Sequence, residues 1–163
     1  AAAAALADTA IDLLINNAGI NVRGATLADV DYDGWLRNLD TNILGPMRVA
    51  QAFLPAIEKG AGKKLVYISS KMGSISDNTG GGMIYRSSKT GLNMAASFLA
   101  IELAPKQITS LMFHPGHVQT DMGGDAAPVT AHDSVSGMRQ VIAGAGMAQN
   151  GQFFNYDGAA LPW

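Results

Sequence analysis

The sequence predicts an α/β protein built on a parallel sheet, and three observations carry that prediction. Short apolar runs rich in β-branched residues alternate with longer stretches of helical periodicity, the pattern of repeated strand–helix–strand units. The strand-like runs are close to continuously apolar, as expected of strands buried on both faces. With 163 residues, 48% hydrophobic and 15% charged, the chain can bury one substantial core and is not a disordered or fibrous sequence.

The elements follow in order. The run Ala1–Ala5 starts abruptly, without an initiator Met, inside what reads as a helix. This is expected of a chain whose natural start lies upstream, or of alanines standing for other side chains. Ile11 to Asn16 reads as a buried strand, ended by the turn residues Asn17-Ala18-Gly19. After a polar stretch from Asn21 to Gly34, apolar residues recur at helical spacing from Trp35 to Lys59 (Leu36, Leu39, Ile43, Met47, Phe53, Leu54, Ile57). Gly45-Pro46 divides that region into two helical pieces, with a boundary or kink at the proline. Gly60-Ala61-Gly62 stops the helix, and Lys64 to Ser69 is the next strand. Met72 to Gly82, rich in Gly, Ser, Asn and Asp, is a loop long enough to be functional. A helix from Ile84 to Leu103 is closed by Pro105, a strand spans Ile108 to Phe113, and Pro115-Gly116 turns the chain away. Ser134 to Ala143 reads as a surface helix capped by Asp133 or Ser134, and Gln152 to Asn155 as a last short strand. The count, about four strands and three or four helices in one domain, falls short of a complete dinucleotide-binding sheet.

Composition removes several functional classes. Eleven Lys and Arg against 13 Asp and Glu give a net charge of −2, with the cations scattered, so nucleic acid and anionic membrane surfaces are not expected partners. The absence of cysteine excludes disulfides, Cys-ligated zinc and thiol nucleophiles. No apolar run has the roughly 18 residues of a membrane span, and no basic segment precedes one in signal-peptide order. A cytoplasmic protein is the expectation.

In an open parallel sheet, ligands bind beyond the carboxyl ends of the strands. The residues there are Asn16-Asn17-Ala18-Gly19, then Ser69-Ser70 followed by Gly73, then His114-Pro115-Gly116 with Thr120; Asn42 lies on a helix. Tyr85 and Lys89 stand four apart on one helix face, where an ammonium group favours the phenolate and should draw the tyrosine pKa down toward working pH. Ser70 closes a buried strand ahead of a Gly-rich loop, so its hydroxyl either meets Tyr85 over a ligand or serves the turn. It has no Gly-x-Ser-x-Gly surroundings for a nucleophile.

Other features carry less. Gly60-Ala61-Gly62-Lys63-Lys64 is not a P-loop, because position 57 is Ile and Lys64 stands where Ser or Thr is required. His114 and His117 flank a Pro-Gly turn with no carboxylate at ligand spacing, so no metal is expected. The methionines read as core filler, with Met72 and Met122 beside the site motifs as pocket candidates. Lys71 and Arg86 read as solvated, the alternative being contact with a substrate carboxylate or phosphate.

Taken in order, Asn16-Asn17-Ala18-Gly19, Thr41-Asn42-Ile43-Leu44-Gly45, Ser70-x-x-Gly73, Tyr85-x-x-x-Lys89 and Pro115-Gly116-x-Val118-x-Thr120 resemble the short-chain dehydrogenase/reductase family over positions 11–163. Within it, Leu111 to Met122 and the ending from Phe153 to Trp163 look like the C-factor-like and sniffer-like carbonyl reductases. The resemblance implies the C-terminal portion of a Rossmann-type doubly wound sheet in three α/β/α layers. It implies reduction of a small-molecule carbonyl, or the reverse, with NADP or NAD, NADP being slightly favoured. Tyr85 is then the general acid, Lys89 lowers its pKa and holds the nicotinamide ribose, Ser70 binds the substrate oxygen, and Asn42 holds a water linking Lys89 to solvent. Asn16, Ala18 and Gly19 line the adenosine side of the cofactor, and Pro115, Gly116 and Thr120 hold its amide. Family members often pair through the two long helices, here near 45–59 and 84–103, which implies a homo-oligomer.

One family feature is missing. The Gly-x-x-x-Gly-x-Gly loop that receives the pyrophosphate is expected about 70 residues before Asn16, so these residues read as an incomplete Rossmann domain. The favoured expectation is a carbonyl reductase completed upstream; the alternative is a naturally short, non-catalytic signalling or interaction fragment.

Overall fold

The computed structural model describes residues 2–6, 8–22 and 26–163; Ala1, Ala7 and residues 23–25 of the expected polar stretch lie outside the described residues. Strands β1 (Leu13–Asn16), β2 (Lys64–Ile68), β3 (Thr109–His114) and β4 (Phe153–Asn155) form one all-parallel sheet whose spatial order is the chain order. The helices are a short turn α1 (Ala2–Ala5), α2 (Tyr32–Leu39), α3 (Gly45–Lys59), α4 (Met83–Glu102) and α5 (Ala131–Gly144).

Side-chain alternation along the strands makes the three layers. Leu65 and Tyr67 of β2 and Met112 of β3 pack with Ile57 of α3 and Leu92 and Ala96 of α4. The intervening Val66, Leu111 and Phe113 pack on the other face with Ile142 of α5. Both faces of β2 and β3 are therefore buried, which explains their uninterrupted apolar sequence. Each such side chain contributes about 1.5–3 kcal/mol of burial. At the β1 edge the cover is uneven. Leu14 packs into the α3/α4 core, while Leu13 and Ile15 on the other face are 38% and 46% exposed.

Three boundaries differ from the sequence reading, each for a local reason. Helix α2 begins at Tyr32, inside the expected polar stretch, because Asp31 caps it by accepting from Gly34 N at 2.8 Å and its first turn is too exposed to show apolar periodicity. The break in the long helical region is a π-helical stretch, Asp40–Leu44, ahead of Gly45-Pro46 instead of at the proline. Pro46 itself sits in the first turn of α3, where its missing N–H costs no helical bond. Helix α5 begins at Ala131 with Thr130 as its cap, not Asp133 or Ser134. The Thr130 hydroxyl accepts from Asp133 N at 3.0 Å and donates to the Asp133 carboxylate at 2.7 Å, a reciprocal cap with Asp133 in the third helical position. Among the described residues no helix is long and apolar enough to cross a membrane.

Candidate active site

Because the strands are parallel, the segments following β1, β2 and β3 emerge at one end of the sheet. There they wall a cleft of about 1090 Å³ with the start of α4 and part of α5. Ser70, Tyr85, Lys89, Ala18, Gly19, Pro115, Gly116 and Thr120 all line it. Asn42 and Asn16 do not: both are buried behind the wall.

Ser70 serves the turn and also contacts Tyr85 directly. Its oxygen accepts from Met72 N at 3.2 Å, capping the 3-10 turn Lys71–Gly73, and its hydroxyl is hydrogen-bonded with Tyr85. The turn is fastened to α4, since the Gly73 carbonyl accepts from the Thr90 hydroxyl at 3.0 Å and from Asn93 Nδ2 at 3.4 Å. A Cβ on Gly73 would lie 2.9 Å from the Lys89 backbone, so only glycine permits this approach of loop to helix.

Tyr85 lies in the first turn of α4, after Gly82, whose left-handed φ of 64° ends the loop. The expected downward shift of its pKa does not occur. Burial of the phenol pushes the pKa up, and the hydrogen bond with Ser70 pulls it only part of the way back. Lys89 Nζ stands 5.7 Å from the ring centroid and donates to the Ile68 carbonyl at 2.9 Å. Burial lowers the pKa of Lys89 itself to about 8. The helical spacing correctly put the two groups on one face; desolvation, which spacing does not register, reverses the sign of the Tyr85 shift.

Asn42 is fully buried on the π-helical stretch and is tied into a polar knot. Its Oδ1 accepts from Ile20 N at 2.8 Å; its Nδ2 donates to Ile20 O and to the Ser88 hydroxyl, each at 2.9 Å. Ser88 in turn donates to the Tyr85 carbonyl at 2.8 Å. Asn42 thus clamps the chain after β1 to the start of α4. Sequence reasoning missed Ser88 and Asn38, and the available signal was polar residues at i and i+4 (Asn38, Asn42) on an otherwise apolar helix face.

The β1 end presses on this group. A Cβ on Gly19 would meet Lys89 Nζ at 3.2 Å and Asn42 Oδ1 at 3.3 Å, so glycine lets the chain after β1 press closely against these two groups. Asn16 Nδ2 and Ser69 Oγ are buried without a hydrogen-bond partner. On the β3 side, Ser134 fixes the Pro115-Gly116 turn by donating to Pro115 O at 2.6 Å, and Gly116 has φ 88°. His114 and His117 do not converge on a metal. His117 Nε2 contacts Gly123 O at 2.8 Å, and His114 is held neutral, its pKa lowered to about 4 by burial and by the nearby Lys71 and His117. Met72 and Met122 both line the cleft, as do Arg86 and Lys71, whose side chain is exposed as the sequence reading expected.

A strand-end serine and a helical Tyr-x-x-x-Lys, joined over a cleft at the carboxyl end of a parallel sheet, define the class of protein. Residues 1–131 match the family model described as short chain dehydrogenase. The chain belongs to that family and is an oxidoreductase of its type. C-signal of Myxococcus xanthus is 45% identical over 154 residues, spanning 94% of this chain and 93% of that protein. The solved structure of the carbonyl reductase Sniffer of D. melanogaster superimposes with a TM-score of 0.92 at 38% identity, over 98% of this chain and 69% of that one. An NADPH-bound carbonyl reductase from chicken fatty liver gives 0.92 at 33% identity, over 99% and 71%. The resemblance drawn from the five motifs, and with it the Rossmann-like three-layer architecture, is confirmed.

Proposed function

We propose that this chain carries the catalytic centre of a nicotinamide-dependent carbonyl reductase, using NADP or NAD, with Ser70, Tyr85, Lys89 and Asn42 as its working set. The observation that carries the reading is the hydrogen bond between Ser70 and Tyr85 on the cleft wall with the Lys89 ammonium close to the ring. The fit to a nicotinamide riboside rests on Gly19, Lys89 and the turn at Pro115, Gly116 and Thr120 lining one cleft. Asn16, Ala18 and Gly19, at the end of β1, are assigned to the adenosine side of the cofactor.

The bound nicotinamide supplies a hydride to the carbonyl carbon. Everything else falls to the chain. Ser70 donates to the carbonyl oxygen and fixes it beside Tyr85, which gives that oxygen its proton as negative charge develops. The upward shift of the Tyr85 pKa suits this direction, because it keeps the phenol protonated and ready to donate. Lys89, charged at neutral pH with a pKa of about 8, stabilises the phenolate left behind. Asn42, on the π-helical stretch, holds a water that links Lys89 to solvent. The rival reading, a non-catalytic signalling fragment, ranks second because the acid, its partner hydroxyl and its cation are all in contact. We also propose self-association through α3 and α4: Met94, Phe98 and Ile101, spaced i, i+4, i+7, are 72%, 61% and 76% exposed along one stripe of α4.

The test is Tyr85→Phe. Consumption of NADPH with a simple aldehyde should fall by about a hundredfold or more while NADPH affinity stays within about threefold. Near-wild-type turnover overturns the assignment.

A further inference from the structure

The cleft is more positive than the molecule that contains it. The whole chain has 13 acidic and 11 basic residues, yet the cleft is lined by Lys71, Arg86 and Lys89 against a single carboxylate, Asp77. Lys89 belongs to the catalytic set. Lys71 is matched by Asp77, 3.1 Å from its Nζ. Arg86 is left unmatched: among the described residues no carboxylate lies within salt-bridge distance of its guanidinium.

Arg86 is nevertheless held in place. Its Nε donates to Gly81 O at 2.9 Å and its Nη2 to the Thr79 hydroxyl at 3.1 Å. Both acceptors are neutral, so they orient the fork without cancelling its charge, and two of its five N–H donors are spent on them. Gly80, Gly81 and Gly82 are all left-handed, with φ of 81°, 70° and 64°, a path that non-glycine residues resist. Thr79 and Asp77, from the same segment, line the cleft beside Arg86, and Arg86 directly follows Tyr85. An oriented, uncompensated guanidinium on the wall that holds the proton donor is a preformed anion site, because the ordering of its long side chain is complete before a ligand arrives.

We infer that the substrate is a carbonyl compound that also bears a carboxylate, and that Arg86 binds that carboxylate. The inference rests on the carbonyl reductase reading and extends it to the substrate class. The phosphates of the cofactor are the rival source of negative charge. Apart from Lys89, however, the residues assigned to the cofactor follow β1 and β3, whereas Arg86 stands next to Tyr85 at the start of α4.

Two aldehydes that differ only in charge test this, 4-carboxybenzaldehyde and its methyl ester, methyl 4-formylbenzoate. With NADPH, the wild-type protein should favour the acid by about tenfold or more in kcat/KM, mainly through KM, and added salt should erode the preference. Arg86→Met should abolish the preference while leaving turnover of the ester within about twofold and NADPH affinity unchanged; Arg86→Lys should keep part of it. As a readout independent of turnover, benzoate should bind the wild-type protein in calorimetry and fail to bind Arg86→Met. Equal use of the two aldehydes by the wild type overturns the inference. So does equal loss on both in Arg86→Met, which would make Arg86 a clamp for the loop, or weakened NADPH binding, which would make it a cofactor contact. If neither aldehyde is reduced while benzoate still binds through Arg86, the reductase reading fails and the anion site stands.

Discussion

The two faces of the sheet are finished to different degrees. Under α3 and α4, every strand including β1 contributes to one core, and several polar groups at its upper rim are engaged, Asn42 with Ile20 and Ser88, Gly73 with Thr90, Lys89 with Ile68, while Asn16 Nδ2 and Tyr67 OH are buried without a partner. Under α5 the core spans β2 to β4 and stops short of β1, leaving Leu13 and Ile15 exposed. The proton donor, its cation and its clamp all stand on or against α4. Chemistry that needs atoms fixed to fractions of an ångström is placed where packing is complete, while the less covered face contributes loops and turns that line the cleft.

The largest expected effect tests that closed face. Leu92 of α4 is 1% exposed within the α3/α4 core, and Leu92→Ala should cost about 2–5 kcal/mol in chemical denaturation, from lost burial plus the cavity left behind. Because α4 also carries Tyr85 and Lys89, turnover should fall in the folded variant as well. Loss of stability with undiminished turnover would separate the core from the site.

A smaller effect of opposite sign is expected at Lys89, where function and stability conflict. Burial lowers its pKa from the ordinary 10.5 to about 8, which corresponds to a cost of about 3 kcal/mol for keeping the ammonium buried below pH 8. The hydrogen bond to Ile68 O returns about 1 kcal/mol. Lys89→Met should therefore be inactive but about 2 kcal/mol more stable at pH 7. Between pH 8 and 10.5 the unfolded lysine keeps a proton that the folded one has lost, so wild-type stability gains on the variant as pH rises. The gap should close by about pH 10.5. Denaturation of both proteins at pH 7 and pH 10 checks sign and slope, and a destabilised variant at pH 7 would mean that the buried cation is better paired than its surroundings indicate.

How much of this was legible in the sequence divides along the same line. The parallel sheet and the four strands follow from apolar continuity, and the i, i+4 rule puts Tyr85 and Lys89 on one helix face; the choice of Ser70, Tyr85 and Lys89 as a set came from the family resemblance. Helix starts were read late where a cap precedes exposed residues, as at Asp31 and Thr130, because their first turns carry little apolar pattern. The π-helical stretch at Asp40–Leu44 was read only as a kink, since its bonds are set by the buried knot around Asn42 and not by local propensity. The sign of the Tyr85 shift and the tethering of Arg86 to Gly81 and Thr79 depend on desolvation and on loop geometry, quantities that exist only once the chain has folded.

The smallest effect sharpens the contrast from the open side. Ile15 is 46% exposed on the face of β1 that α5 does not reach, so replacing it removes little buried area. Ile15→Thr keeps the β-branched shape that a strand favours and exchanges a methylene-bearing surface for a hydroxyl facing water. The change in unfolding free energy should stay within about 0.5 kcal/mol, the usual range for surface substitutions. The same exchange at a fully buried position would strand a hydroxyl in the core at a cost of about 1–3 kcal/mol. Denaturation of Ile15→Thr over a range of protein concentrations therefore reads the state of that face directly. A loss near 2 kcal/mol would mean that Ile15 is covered in solution, and a loss that grows with protein concentration would assign the cover to a second copy of the chain.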